Sequence, residues 1–113
     1  DRFSQPSVNA LDSALDDSST EIRLFAAEHL ASFPHPLSET LLDKLIARVW
    51  DPEISVRKAV AKTLSNHADP RSIGPLMGLI GTPDEELRYI VRQSLIKICE
   101  ELGPPPPRAK GYV

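Results

Sequence analysis

The sequence predicts an all-α fold, an α-solenoid of three helical hairpins, on three observations. A pattern of apolar residues occurs three times, shifted first by 34 residues and then by 31. Within each copy the apolar residues fall at helical spacing in two stretches with a break between them. No segment sustains the alternation of polar and apolar residues that a strand requires. A fixed period of this size indicates stacked units that bury their apolar faces against their neighbours.

The three copies define the expected domain organisation. Each unit contains a first helix, A, and a second helix, B, and the units cover approximately residues 7–33, 41–67 and 72–99. About six helices therefore form one repeat domain over residues 1–102, and residues 103–113 form a proline-rich tail or linker.

Equivalent positions of the three units carry apolar residues, which we expect to form the core. They are Leu11, Leu45 and Leu76; Leu15, Val49 and Ile80; Ile22, Val56 and Leu87; Ala26, Val60 and Val91; and Leu30, Leu64 and Leu95.

The breaks between helices carry capping residues. Asp51-Pro52 and Thr82-Pro83 each place a side-chain acceptor before a proline, which predicts an N-cap followed by the first helical residue. Ser72 is the predicted cap of the third A helix, which puts Pro75 in the first turn, where proline is tolerated.

Two segments of the sequence resemble a known repeat family. Residues 69–80 are similar to an A helix, and residues 51–64 to a B helix with a Val-Arg pair and a following alanine, of the short bacterial HEAT repeats first described in phycobilisome lyase subunits. The resemblance extends over roughly residues 7–99. It implies an α-solenoid that binds proteins, with the B helices on the concave face. A second implied role is that of an accessory subunit or domain of an enzyme complex, such as a bilin lyase-like assembly that handles a chromophore.

Composition is that of a globular domain. The chain has 113 residues, of which 26% are charged and 41% apolar. No apolar run approaches the length of about 20 residues that spans a bilayer. Cys99 is the single cysteine, so no internal disulfide can form. Its place on the last B helix predicts a buried thiol, and a reducing cytoplasm is the expected location.

The end of the chain is rich in proline. Gly103 is expected to end the last helix, and the four prolines of residues 104–107 favour an extended polyproline II segment. A semi-rigid linker or tail is the first interpretation, and a ligand for a proline-recognising domain is the alternative. The chain begins with Asp1 and not with Met, which is expected of a processed product or of a piece of a longer chain.

The sequence offers no catalytic or metal-binding motif. His29, His35 and His67 lack metal-ligand spacing, and a single cysteine cannot supply a zinc set. Phosphate-binding loops and nucleophile elbows are missing from the sequence. We therefore expect a protein that is not an enzyme and needs no cofactor or metal.

An arginine occupies the same position near the start of each B helix. These residues are Arg23, Arg57 and Arg88, and Asp17 and Asp51 share a position six residues before the first two. We call these five residues the ladder. One interpretation is structural: each arginine bonds an aspartate or a carbonyl of its own or the adjoining turn. The other is that the guanidinium groups face an acidic partner. In the third unit Thr82 replaces the aspartate, so Asp84 must serve or the pair is lost.

The outward side of the B helices is the expected binding surface. Lys58, Lys62 and Arg92 are predicted to form a cationic rim around Tyr89, and small residues such as Ala27 and Ala61 are predicted to let a partner approach.

Charge indicates which partner this surface would attract. Residues 1–40 carry two basic and seven acidic residues, whereas residues 41–113 carry eleven and nine. This asymmetry favours an acidic protein segment on the second and third units. An ordinary solvated helix face is the alternative. A net charge of −3 argues against nucleic acid.

Trp50 ends the second A helix at a position that holds Asp16 and Gly81 in the other units. The indole is therefore not expected in the core. It can anchor a partner or cover the contact between units, and the sequence favours neither.

Overall fold

The computed structural model describes residues 8–34 and 36–103, and every regular element in these ranges is helical. The A helices are α1 (Val8–Ala14), α3 (Glu39–Ala47) and α5 (Ile73–Gly78), and the B helices are α2 (Thr20–Ala31), α4 (Ile54–Asn66) and α6 (Glu85–Leu102). Short 3-10 turns follow α3 (Arg48–Trp50) and precede α5 (Pro70–Ser72). α4 packs between α2 and α6, so the B helices form one layer. The predicted all-α solenoid is confirmed.

The two B helices that follow Pro52 and Pro83 start two residues later than expected. Asp84, and not Thr82, accepts the backbone N–H of Leu87 at 2.8 Å, and α6 begins at Glu85. α4 begins at Ile54 after Glu53, whose side chain makes no cap bond. The predicted caps are wrong because each residue before a proline adopts an extended turn that delays the helix.

The third A helix starts directly after Ser72, which is its N-cap residue, as predicted. The side chain of Ser72, however, makes no cap bond and donates to the carbonyl of Asp69 at 2.7 Å. Asp69 caps the preceding 3-10 turn, because its carboxylate accepts the backbone N–H of Arg71. Pro75 lies in the first turn of α5, as predicted.

Most predicted core positions are buried, but Leu95 is only half-buried and two other positions are exposed. Ile22 is 42% exposed, whereas its equivalents Val56 and Leu87 are fully buried. The side of α4 that carries Val56 faces α2, and among the described residues no B helix lies on that side of α2. Ile80 is also exposed, and Leu79 takes the core position because α5 ends at Gly78 and the chain turns there.

Ion pairs join the A helices of neighbouring units. The ammonium group of Lys44 lies 2.5 Å from a carboxylate oxygen of Asp12 and 2.6 Å from one of Asp16. These hydrogen bonds, Asp12 first, raise the pKa of Lys44 above its ordinary value. Between the second and third units, Arg71 donates to Asp43 at 2.9 Å on the exposed surface.

The last B helix ends at Gly103, as predicted. Gly103 has a φ of 78°, in the left-handed region that favours glycine, and its N–H bonds the carbonyl of Cys99. Cys99 itself is exposed. The prediction of a buried thiol is wrong because the last turn of α6 turns this position away from the other described helices. His35 and the predicted polyproline segment lie outside the described residues.

None of the described helices is long and apolar enough to cross a membrane.

Candidate functional site

The B helices approach one another through small residues and side-chain hydroxyl groups. The Thr63 hydroxyl of α4 donates to the carbonyl of Ala27 on α2 at 2.6 Å, and the Ser94 hydroxyl of α6 donates to the carbonyl of Ala61 on α4 at 2.9 Å. Ala27 and Ala61 are fully buried. The expectation that they face a partner is wrong, because their small side chains admit the next B helix of the stack.

The outward side of the B-helix layer forms two parallel grooves, which we call the B-helix face. The first groove lies between α2 and α4, and the second lies between α4 and α6, with volumes of about 400 and 340 Å³. Lys62 is exposed and lines both grooves. Tyr89 lines the second groove and is 65% exposed. The structure therefore brings Lys62 and Tyr89 together.

The two other cations of the predicted rim differ from Lys62. Lys58 lies 2.5 Å from a carboxylate oxygen of Glu86 and 3.7 Å from one of Asp84, so it joins α4 to α6. The hydrogen bond to Glu86 is the main cause that raises the pKa of Lys58. Arg92 is exposed, but it is equivalent to Ala61, whose side of α4 faces the following helix. Arg92 therefore lies on the side of α6 away from α4.

The first part of the ladder is a buried cross-link between units. The Nε and Nη2 atoms of Arg23 donate to the two carboxylate oxygens of Asp51 at 2.7 and 3.1 Å, a bidentate pair. Arg48 donates to the same carboxylate at 3.0 Å, and the backbone N–H of Glu53 at 2.9 Å. Burial alone would raise the pKa of Asp51, but the hydrogen bonds from Arg23, Glu53 and Arg48 outweigh it and lower that pKa.

All three arginines of the ladder make the same hydrogen bond to the backbone of their own turn. Each donates from Nη1 to the backbone carbonyl six residues before it: Arg23 to Asp17 at 2.8 Å, Arg57 to Asp51 at 2.5 Å and Arg88 to Thr82 at 2.8 Å. These bonds agree with the structural interpretation of the ladder.

The pair between Arg23 and Asp51 is a bond to the aspartate of the adjoining turn, one of the forms that the structural interpretation included. The two aspartates of the ladder do not pair with the arginine six residues after them. The carboxylate of Asp17 accepts the backbone N–H of Ser19. Asp84 caps α6 and contacts Lys58, so it does not replace the missing aspartate of the third unit.

Trp50 lies at the contact between the second and third units. An added Cβ at Gly78 would come within 2.6 Å of the indole Cη2, so the ring rests against the backbone of α5 at this glycine. The indole is nevertheless 59% exposed. The ring thus covers part of the contact between units, and its exposed part forms a wall of a cavity that also contains Arg57.

The histidines have structural neighbours. His29 is half-buried and stacks on Phe25, with ring centroids 5.6 Å apart. The Nε2 atom of His67 lies 2.7 Å from the carbonyl of Leu30. Over residues 8–34 and 36–103, no three histidine, cysteine or acidic side chains are placed to hold a metal ion together.

A further cavity of about 390 Å³ lies where the first unit joins the second, between Phe33 and Asp69. Its polar lining groups are already bonded within the stack: the Asn66 amide donates to Ala31, and His67 bonds Leu30. This cavity is therefore a poorer candidate for ligand binding than the grooves.

Sequence reasoning missed three contributors to these sites. Glu86 neutralises Lys58, Gly78 accommodates Trp50, and Asn66 links units by accepting a bond from Lys97 at 3.0 Å. Opposite charge on adjacent B helices was a signal for Lys58 and Glu86, whereas the role of Gly78 depends on the position of the indole.

Comparison with known proteins gives one family. The family model for HEAT repeats matches residues 8–96, which is most of the chain and extends from the start of α1 into α6. A search of curated proteins gives no match. Paired helices, a B-helix layer and the matched residues agree, and the chain belongs to the HEAT-repeat family.

Proposed function

We propose that this chain is a non-catalytic protein-interaction or scaffolding module that binds a protein partner on the B-helix face. HEAT repeats commonly mediate protein–protein interaction. The observation that carries the proposal is the pair of adjacent grooves that share Lys62 and expose Tyr89. Extended surfaces of this kind suit a segment of protein chain, and an exposed tyrosine supplies rigid contact area.

The charge of this face favours an acidic partner. Among the described residues, Lys62 has no carboxylate within ion-pair distance, whereas Lys58 is already paired with Glu86. The second groove has no acidic lining residue, whereas the first is lined by Glu28 as well as by Lys58 and Lys62. An acidic segment in the second groove would therefore meet the ammonium group of Lys62 without an opposing carboxylate. Such a charge changes the association rate and its salt dependence more than it changes the final affinity.

The test compares two charge reversals. The protein is used to capture partners from source-cell extract, and the identified partner is then titrated against Lys62→Glu and Arg92→Glu. Lys62→Glu should slow association and reduce its salt dependence, whereas Arg92→Glu, on the other side of α6, should change both less. Thermal melts should agree within about 0.5 kcal/mol, because both positions are exposed.

If Arg92→Glu or Trp50→Ala lost binding to the partner while Lys62→Glu kept it in full, the proposal that the partner binds the B-helix face would be wrong. The working surface would then lie on the far side of α6 or at the turns between A and B helices.

The resemblance to phycobilisome-lyase repeats supports a second candidate, an accessory role in an enzyme complex that handles a bilin-like chromophore. The support is the sequence similarity of residues 51–64 and 69–80, and fold-level similarity is a weak basis for function. Visible absorption that copurifies with the protein, or that appears on adding a bilin, would favour this role.

The non-catalytic role includes the absence of a bound metal. Elemental analysis of protein purified without added metal should give substoichiometric zinc and iron. A tightly held equivalent that is lost in His29→Ala would overturn this part of the proposal. A single exposed thiol at Cys99 suits a reducing compartment, and we propose a cytoplasmic location, which cell fractionation tests.

A further inference from the structure

The ladder is incomplete between the second and third units. In the first unit Arg23 uses one edge of its guanidinium group for the carbonyl of Asp17 and another for the carboxylate of Asp51. Arg57 makes the equivalent carbonyl bond, to Asp51, so its guanidinium group is held in the same way at the start of α4.

The residue equivalent to Asp51 in the third unit is Thr82. This equivalence holds in the structure, because Arg88 bonds the carbonyl of Thr82 as Arg57 bonds that of Asp51. A threonine side chain supplies no carboxylate. Within the part of the chain that the structure describes, the carbonyl of Asp51 is the one polar group that contacts Arg57. The donors that Arg23 gives to a carboxylate thus lack that partner in Arg57.

Arg57 and Thr82 line the same cavity. It has a volume of about 400 Å³ and is lined by Trp50, Arg57, Gly78, Leu79, Gly81 and Thr82. Gly78 carries the indole of Trp50, whose exposed part supplies an aromatic wall, and an added Cβ at Gly81 would meet nothing within 4 Å.

The electrostatics of the cavity favour a single negative charge. Arg57 is its one charged lining residue. The nearby carboxylate of Asp51 is occupied by Arg23 and Arg48, and the Nη1 atom of Arg88 is bonded to the carbonyls of Thr82 and Pro83. One guanidinium fork matches the planar geometry of a carboxylate, whereas a phosphate group is usually held by several cations or by backbone amides.

We propose that this cavity binds the side-chain carboxylate of an aspartate or glutamate on a partner protein. The carboxylate takes the place opposite Arg57 that Asp51 has opposite Arg23, and the indole of Trp50 packs against the adjoining part of the partner. The site lies at the turns between A and B helices, and it is therefore independent of the B-helix face proposed above.

The test uses a probe that carries one side-chain carboxylate. N-acetyl-aspartic acid amide is titrated at constant ionic strength, with N-acetyl-asparagine amide as the neutral control of the same shape. Trp50 is the single tryptophan, so its fluorescence reports on this cavity, and the Arg57 Nε–H resonance reports on the guanidinium group. Wild-type protein should respond at both positions to the aspartate probe and not to the asparagine probe.

Two variants of Thr82 supply an internal control. Thr82→Asp places a carboxylate of the chain itself opposite Arg57. The affinity for the aspartate probe should fall by about tenfold or more, because Arg57 already makes its charge-assisted bonds within the chain. Thr82→Asn, of similar size and neutral, should bind the probe as wild type does. Both variants keep Arg57 and Trp50, and melting temperatures show whether each is folded.

Several outcomes would overturn the proposal. They are equal responses to the aspartate and asparagine probes, undiminished binding by Thr82→Asp, and binding by Thr82→Asn that is as weak as that of Thr82→Asp. A stronger response to N-acetylglycine would assign the site to a chain terminus, and a stronger response to inorganic phosphate would assign it to free anions. Either result would also overturn the assignment to an acidic side chain.

Discussion

The hydroxyl oxygen of Thr63 lies 2.6 Å from the carbonyl oxygen of Ala27 and 2.8 Å from that of Ala59 in its own helix, so the two carbonyls share its one proton. A side chain this short can reach the backbone of another helix only where the two helices are very close. The absence of a bulky side chain at Ala27 permits that approach. The contact between the B helices therefore depends on the size of two side chains as much as on their polarity.

Enlarging Ala27 should disrupt this contact. Ala27→Leu adds volume to a fully buried site and should cost about 1–3 kcal/mol of unfolding free energy. Ala47→Leu is the matched control, because Ala47 is exposed at the end of α3 and should change stability by less than about 0.5 kcal/mol. Urea melts measure both. An unchanged midpoint in Ala27→Leu would mean that the helices are further apart than described.

Removing a core leucine from the central unit should have a larger effect. Leu64 is fully buried in α4, and Leu64→Ala should cost about 2–5 kcal/mol. Leu102→Ala makes the same chemical change at an exposed position of α6 and serves as the control. A loss below about 1 kcal/mol for Leu64→Ala in denaturant melts would contradict the direction in which α4 faces the core.

Neutralising Asp51 should destabilise the first contact between units. Asp51→Asn leaves the buried guanidinium group of Arg23 without a carboxylate, which should cost about 3–5 kcal/mol. Asp43→Asn breaks the exposed pair with Arg71 and should cost less than about 1 kcal/mol. Similar losses in the two variants would show that burial does not strengthen the Asp51 cross-link.

The same carboxylate predicts a pH dependence. Folding lowers the pKa of Asp51, so the ionised carboxylate contributes to the free energy of unfolding. This contribution is complete above the ordinary aspartate pKa of about 4, and it is lost as the pH falls from there towards the folded-state pKa. Urea melts at a series of acidic pH values should show a decline in the wild type. Asp51→Asn should flatten this decline but leave a remainder, because the pKa of Asp84 is lowered as well.

The position of Trp50 can be tested through the glycine beneath it. Gly78→Ala places a Cβ within 2.6 Å of the indole, so the ring must move, and the fluorescence of the single tryptophan should change. Gly74→Ala adds the same methyl group in the same helix where nothing lies within 4 Å. The control should leave the spectrum unchanged. Identical spectra for all three proteins would place the indole away from α5.

Much of the fold could be predicted from the sequence, because a repeated helical pattern states which residues share a face. Leu11, Leu45 and Leu76 are buried as expected. Ile22 shows the limit: it occupies the same position of the repeat as Val56 and Leu87, but its exposure depends on which helices lie beside α2. The family match gives the same fold but does not identify a face for binding.

The candidate site was less predictable. Ala27 and Ala61 occupy equivalent positions of the first two B helices, and a small residue at such a position suits an outward face and a helix–helix contact equally well. The bonds from the three arginines to backbone carbonyls could be predicted, because each arginine lies near the turn that starts its B helix. For the aspartates, both the same turn and the adjoining turn were left open, because sequence spacing does not state to which neighbouring unit a side chain turns.

The unequal ladder has a mechanical consequence. A buried cross-link at the turns holds the first two units together. The third is held mainly by α6 against α4, with polar links from Ser94, Lys97 and Lys58, and its link to α3 is the exposed pair of Arg71 and Asp43. A load that separates the A helices therefore meets less resistance at the second contact than at the first. The stack is therefore stiffer at the first contact between units than at the second. A partner carboxylate bound to Arg57 would stiffen the second contact.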